Sequence, residues 1–166
     1  MRLFAPESYV NSIFDITPAW MDERGLKALL VDIDDTLSPH GSLVPSRQAH
    51  EWAAAMQGAG FRLIAFSNNH EKRVAPFAKA LGVPYVFDAG KPLPKMYRRA
   101  VERFDLPKNS IAAAGDQIFT DILGANLAGV RSVLVLSEER SAYGVTRLKR
   151  FFERLIVAKL KRRPPA

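Results

Sequence analysis

Five short apolar runs punctuate the chain: 26–33 (LKALLVDI), 61–67 (FRLIAFS), 83–87 (VPYVF), 110–115 (SIAAAG) and 132–137 (SVLVLS). Each is too short for a typical helix and lacks a polar face, so each reads as a strand buried on both sides. Helical patterns separate them. Ser46 can cap a helix reaching about Gly58, a second runs from His70 to Leu81 and stops at Gly82, a third spans Pro94 to Phe104, and a fourth spans Phe119 to Leu127 and ends near Gly129. Strands alternating with helices imply βαβ units with right-handed crossovers, hence a doubly wound parallel sheet of the α/β class. Upstream, Tyr9, Val10, Ile13 and Phe14 fall at helical spacing, and Thr17-Pro18 reads as an N-cap followed by proline at the first helical position. Two short helices are therefore expected before the sheet.

The chain has 166 residues, 48% of them hydrophobic, with no internal repeat, so one domain over 1–166 with a core at about 26–136 is expected. A chain of this size buries roughly 70% of its unfolded surface and needs no staple. The absence of Cys excludes disulfides and thiolate zinc sites. No stretch has the length of a membrane span, and the first residues lack the apolar run of a signal peptide, which predicts a cytoplasmic protein.

The formal charge of +7 is local. Between Arg147 and Arg163 stand eight basic residues and one acid, Glu153, while the remaining charges of either sign cancel. Leu148, Phe151, Phe152, Leu155 and Ile156 place an apolar stripe along 146–163, which predicts a basic amphipathic helix. Its apolar face could pack on the domain and leave the basic face solvated. It could equally lie on an anionic membrane and hold the protein on the inner face, each Lys or Arg there contributing about 1 kcal/mol. RNA also suits the charge, but no recognition motif accompanies it.

In a parallel sheet, ligands sit beyond the carboxyl ends of the strands. Here those ends carry Asp32, Asp34, Asp35 and Thr36 after the first run, Ser67 and Asn68 after the second, Lys91 after the third, and Asp116 with Asp121 after the fourth. If strand geometry persists, Asp32 and Asp34 point to one side and Asp35 away from it. A divalent cation would hold neighbouring carboxylates ionised, Asp116 can add an oxygen, and oxygen ligation with open positions fits Mg²⁺ completed by a substrate phosphate. The remaining groups fit that phosphate. A carboxylate nucleophile at about 4 Å from a phosphate charge meets roughly 4 kcal/mol of repulsion, which Lys91 and the ion would offset. Ser67 can donate to phosphoryl oxygens. Asp32 would attack phosphorus to give an aspartyl phosphate, and Asp34 would protonate the leaving alkoxide and then deprotonate water. Thr36 is expected to bond backbone in a supporting role, and Lys95 to face solvent. Asn68 either touches phosphate or caps the next helix. For Asp121 an orienting bond to Lys91, water-mediated metal binding and a helix-start role all remain open.

This arrangement resembles the haloacid dehalogenase-like phosphatase superfamily, whose four motifs match in order VDIDDT, the Ser of FSNN, the Lys of GKP, and GDQIFTD. The resemblance implies Asp32 as nucleophile, Asp34 as acid/base, Ser67 and Lys91 as phosphate ligands, and Asp116 as a magnesium ligand beside Asp32 and the backbone carbonyl of Asp34. Beyond those motifs, SYVNSIFDITP, FSNNHEKRV, KPLPKMYRRA and GDQIFTDILGANLAG make the whole chain similar to the capless YqeG family of subfamily IIIA. That family is similar to mitochondrial phosphatidylglycerophosphate phosphatases, which implies a lipid phosphomonoester substrate.

Spacing bears on access. Ser67 lies 33 residues beyond Asp34 and Lys91 24 beyond Ser67, room for loop, helix and strand but not for a cap domain. An uncapped site suits a phosphate carried on a larger body, such as a lipid, a nucleic-acid end or a protein. A soluble phosphatase of sugar phosphates or nucleic-acid 3′ ends, for which an oligomer could lend a lid from a second copy, and a phosphate- or RNA-binding module without turnover are the competing readings.

Overall fold

A computed structural model describes residues 2–136. The basic helix expected over 146–163 lies outside the described residues. Six strands, β1 (Ser8–Val10), β2 (Ala28–Val31), β3 (Arg62–Phe66), β4 (Tyr85–Val86), β5 (Ile111–Gly115) and β6 (Arg131–Val135), form one sheet in the order β1-β6-β5-β2-β3-β4. Every pairing is parallel. Helices α1 (Pro18–Glu23), α2 (Arg47–Gly58), α3 (Glu71–Leu81), α4 (Pro94–Glu102) and α5 (Leu123–Ala128) cover its two faces.

The central strands are buried on both sides because their residues feed two cores in alternation. Leu29 and Val31 of β2 join Met21, Trp52, Met56 and Phe77 on one face. Ala28 and Leu30 join Tyr97, Val101 and Ala125 on the other. The helix ends fall where side-chain chemistry stops them. Thr17 accepts a hydrogen bond from Trp20 N–H with Pro18 at the first helical position, and Ser46 accepts one from Ala49 N–H. Gly82 (φ 68°) and Gly129 (φ 72°) close α3 and α5 in the left-handed region, where glycine carries no Cβ penalty.

Two expectations need correction. Residues 6–14 contain no helix of the expected kind: Ser8–Val10 adds an edge strand to β6, and a 3₁₀ turn at Ile13–Asp15 follows, closed by a reciprocal Ser12–Asp15 capping box. Four apolar residues spaced as Tyr9, Val10, Ile13 and Phe14 satisfy a strand plus a tight turn as well as a helix. The unpaired backbone of β6, invisible in a local pattern, decides between them. The helix expected to start at Phe119 instead begins as a π-helical turn at Ile118–Ile122 and becomes α-helical only from Leu123. Such wide turns occur frequently at functional sites.

Candidate active site

The site lies at the carboxyl end of the sheet, where β2, β3 and β5 end side by side. Val31 is paired with Ala114, and Asp32 N–H continues the ladder to the Ala114 carbonyl (2.9 Å), so Asp32 and the Asp116 that follows β5 emerge as neighbours. The π-helical turn brings Asp121 back to them. Asp32, Asp116 and Asp121 are all buried, and each offers a carboxylate oxygen within 4.8 Å of the others. Gly115 makes the approach feasible, since a Cβ there would collide with the Asp121 carboxyl group. Asp121 is fixed by Gln117 N–H (3.1 Å) and the Thr120 hydroxyl (3.3 Å), which leaves its other oxygen for Lys91.

Lys91 is the charge that holds this cluster together. Its Nζ donates to Asp32 Oδ1 (2.5 Å) and Asp121 Oδ1 (2.7 Å), with the side chain 3% exposed. Asn68 anchors the loop beneath it: the side-chain oxygen accepts Lys91 N–H (2.7 Å) and the amide donates to the Lys91 carbonyl (3.2 Å). Asn68 therefore does not cap α3, whose N-cap is His70. Ser67 is buried and accepts from Asn69 N–H (3.1 Å), while Lys95 is exposed as expected.

Burial disfavours charge on Asp32 and dominates over the opposing pull of Lys91; with Asp121 adding repulsion, the carboxyl is raised from 3.8 to about 7. Burial also disfavours the Lys91 ammonium, but Asp121 and Asp32 outweigh it and raise that group above its ordinary value. The three buried carboxyl groups lie close together around Lys91. The donor set, all oxygen, fits a hard divalent cation.

Asp34 departs from the expected alternation, because β2 ends at Val31 and the chain folds into a bridge between Asp34 and Ser38. Its side chain stands outside the three-carboxylate group. It accepts from Arg73 (2.9 Å) and Gly41 N–H (3.0 Å) on one oxygen and from the Asn69 amide (2.6 Å) on the other. Asp35, at φ 59°, turns away and accepts His40 N–H, a structural role as expected. Thr36 is corrected: its buried hydroxyl has no hydrogen-bond partner among the described residues, so it does not bond backbone. Sequence reasoning overlooked Asn69 and Arg73. The available signal was an arginine in the first turn of α3, a position where the helix dipole favours acids.

The HAD-hydrolase-like family model matches residues 88–160. The chain is 36% identical over 162 residues to the "Probable phosphatase YqeG" of Bacillus subtilis (strain 168), covering 98% of this chain and 94% of that one. A haloacid dehalogenase-like hydrolase from Brucella suis 1330 superposes with a TM-score of 0.57 at 14% identity, covering 84% of this chain and 96% of that one. The D,D-heptose 1,7-bisphosphate phosphatase from B. bronchiseptica, crystallised with magnesium and phosphate, gives 0.53 at 20% identity over 80% and 99%.

Proposed function

The chain belongs to the YqeG family of haloacid dehalogenase-like phosphatases, and from that premise we propose that it is a Mg²⁺-dependent phosphomonoesterase that dephosphorylates phosphatidylglycerophosphate through an aspartyl phosphate. The observation that carries the chemistry is Lys91 bonded to both Asp32 and Asp121 at the end of the sheet. Asp32, Asp116 and Asp121 would hold the ion, with the Asp34 carbonyl as the family resemblance implies. When bound, Mg²⁺ would supply positive charge against the phosphoryl oxygens, as the similar heptose bisphosphate phosphatase holds magnesium with phosphate.

The chain's own residues divide the work as follows. An Asp32 oxygen attacks phosphorus while the bond to the leaving alkoxide breaks, and Asp34 gives that alkoxide a proton. Water then attacks the aspartyl phosphate, Asp34 takes the water's proton, and the bond between phosphorus and Asp32 breaks. Lys91 offsets the repulsion between a carboxylate and a phosphate dianion, about 4 kcal/mol per charge pair at 4 Å. Ser67 and nearby backbone N–H groups orient the phosphoryl oxygens. Asn68 sets the height of Lys91 through its backbone, and Asn69 and Arg73 fix where the Asp34 carboxylate stands.

Access supports a substrate larger than a free metabolite. Beside Thr36 opens a cleft of about 600 Å³, lined in part by Asn11, Ser12, Asp35, Ser46 and Gln48. Its hydroxyl and amide groups can hydrogen-bond a polyol leaving group such as a glycerol headgroup, beside the carboxylates of Asp15 and Asp35. The test is phosphate release from phosphatidylglycerophosphate in mixed micelles against a panel of soluble phosphomonoesters, with and without Mg²⁺. A preference for the lipid of at least about a hundredfold in kcat/KM is expected. Equal or better turnover of soluble esters would remove the lipid from this reading, and activity untouched by chelator would remove the ion.

A further inference from the structure

Six large apolar side chains are exposed among the described residues, and their distribution is uneven. Leu3 (46%) and Leu127 (39%) lie together, where Asn126 bonds the carbonyls of Leu3 and Ala5. The other four, Leu43 (71%), Val44 (72%), Phe87 (38%) and Leu93 (61%), stand on two loops. One joins β2 to α2 and the other β4 to α4, so both rise from the carboxyl end of the parallel sheet. They are the same loops that carry Asp34 and Lys91. The first is tied to the site by Gly41 N–H on Asp34 and His40 N–H on Asp35, which leaves Leu43 and Val44 at its outer side.

Scattered apolar residues on a surface call for no explanation, but four at the mouth of one site do. The charge there is equally specific. The first turns of α2, α3 and α4 reach this end of the sheet, where the helix dipole favours acids, yet α2 and α4 have none. Arg47, Lys72 and Lys95 occupy those turns instead, all exposed. Arg47 is paired with Glu51, whereas Lys72 and Lys95 form no ion pair among the described residues. Of the rim's acids, Asp88 is paired with His70 (2.8 Å) and Glu71 accepts from the Tyr85 hydroxyl.

The geometry points to the rim of the active site, Leu43, Val44, Phe87 and Leu93 flanked by Lys72 and Lys95, as the surface that docks on an anionic lipid bilayer. Basic groups alone would suit a nucleic acid, and apolar groups alone a second copy or a protein. Apolar tips flanked by lysines unpaired among the described residues match a layer with anionic headgroups over acyl chains, and they stand on the loops that carry Asp34 and Lys91. The inference rests on the lipid-phosphate reading for its purpose, but vesicle binding needs no turnover, so the two can fail separately.

The full chain, basic C-terminal segment included, is incubated with phosphatidylcholine vesicles with and without 30% phosphatidylglycerol, and bound protein is measured by sedimentation. Binding to the anionic vesicles is expected to fall about tenfold in Leu43→Ser/Val44→Ser and in Lys72→Glu/Lys95→Glu, with far-UV circular dichroism unchanged. A Leu43→Trp variant places a reporter on the rim, and brominated lipid should quench it. Wild-type binding by the serine variant, or binding without quenching, would assign attachment to another part of the chain and overturn the proposal. So would a concentration-dependent mass that the serine variant abolishes while vesicles bind nothing, since the rim would then join two copies. Turnover of phosphatidylglycerophosphate, scored separately, decides the substrate and not this surface.

Discussion

Asp32 combines two properties that rarely coexist: burial that disfavours its charge and an ammonium 2.5 Å away that supports it. Replacing Asp32 with Asn keeps the shape but removes the nucleophile. Phosphate release should drop by about 10⁴-fold or more with circular dichroism unchanged, and retained turnover would remove Asp32 from that role. Arg73 acts at one remove. Its guanidinium holds Asp34 at 2.9 Å while its other terminal nitrogen is buried without a hydrogen-bond partner among the described residues. Arg73→Ala should lower kcat by roughly tenfold to a hundredfold through misplacement of Asp34, with KM little changed; an unaltered kcat would show that Asn69 and Gly41 suffice.

Among the elements, the π-helical turn Ile118–Ile122 and α5 do most to shape the site, and both depend on glycine. At Gly115 the missing Cβ is where the Asp121 carboxyl rests, and at Gly124 it is where the Tyr97 ring packs between α4 and α5. Gly124→Ala should therefore destabilise the fold by about 1–3 kcal/mol, read as a lower Tm, because Tyr97 is buried and cannot yield cheaply. Gly115→Ala should act more on turnover than on Tm, by driving Asp121 off Lys91. If Gly115→Ala loses stability but keeps its kcat, Asp121 has no part in catalysis.

For the whole molecule, the raised Asp32 carboxyl couples stability to pH. Between 3.8 and about 7 the folded chain holds a proton on Asp32 that the unfolded chain has released, so stability falls as pH rises through that window and stays lower above it. The raised Lys91 contributes support below its unfolded value near 10.5, constant across the same window. The metal-free protein should thus melt at a lower temperature at pH 8 than at pH 5, Mg²⁺ should restore more at pH 8, and Asp32→Asn should lessen the difference. A melting temperature independent of pH in both proteins would refute the coupling. At this scale too, no helix among the described residues is long and apolar enough to cross a membrane.

What could be read from the sequence followed from short-range order. Apolar runs broken by Ser46, Gly82 and Gly129 fix where strands and helices begin and end, and a parallel sheet sends every strand's last polar residues to one end. The placement of Asp32, Ser67, Lys91 and Asp116 at that end was legible for that reason. The edge strand Ser8–Val10 was not, because it exists only where β6 offers an open edge. Nor was the turning of Asp34 toward Asn69 and Arg73, which of its open roles Asp121 takes, or the lack of a partner for the Thr36 hydroxyl among the described residues. Each of these depends on groups distant in the chain meeting at ångström range. Local sequence sets the backbone's conformational preferences; which buried charge finds which partner is settled only when the packed chain has excluded water from both.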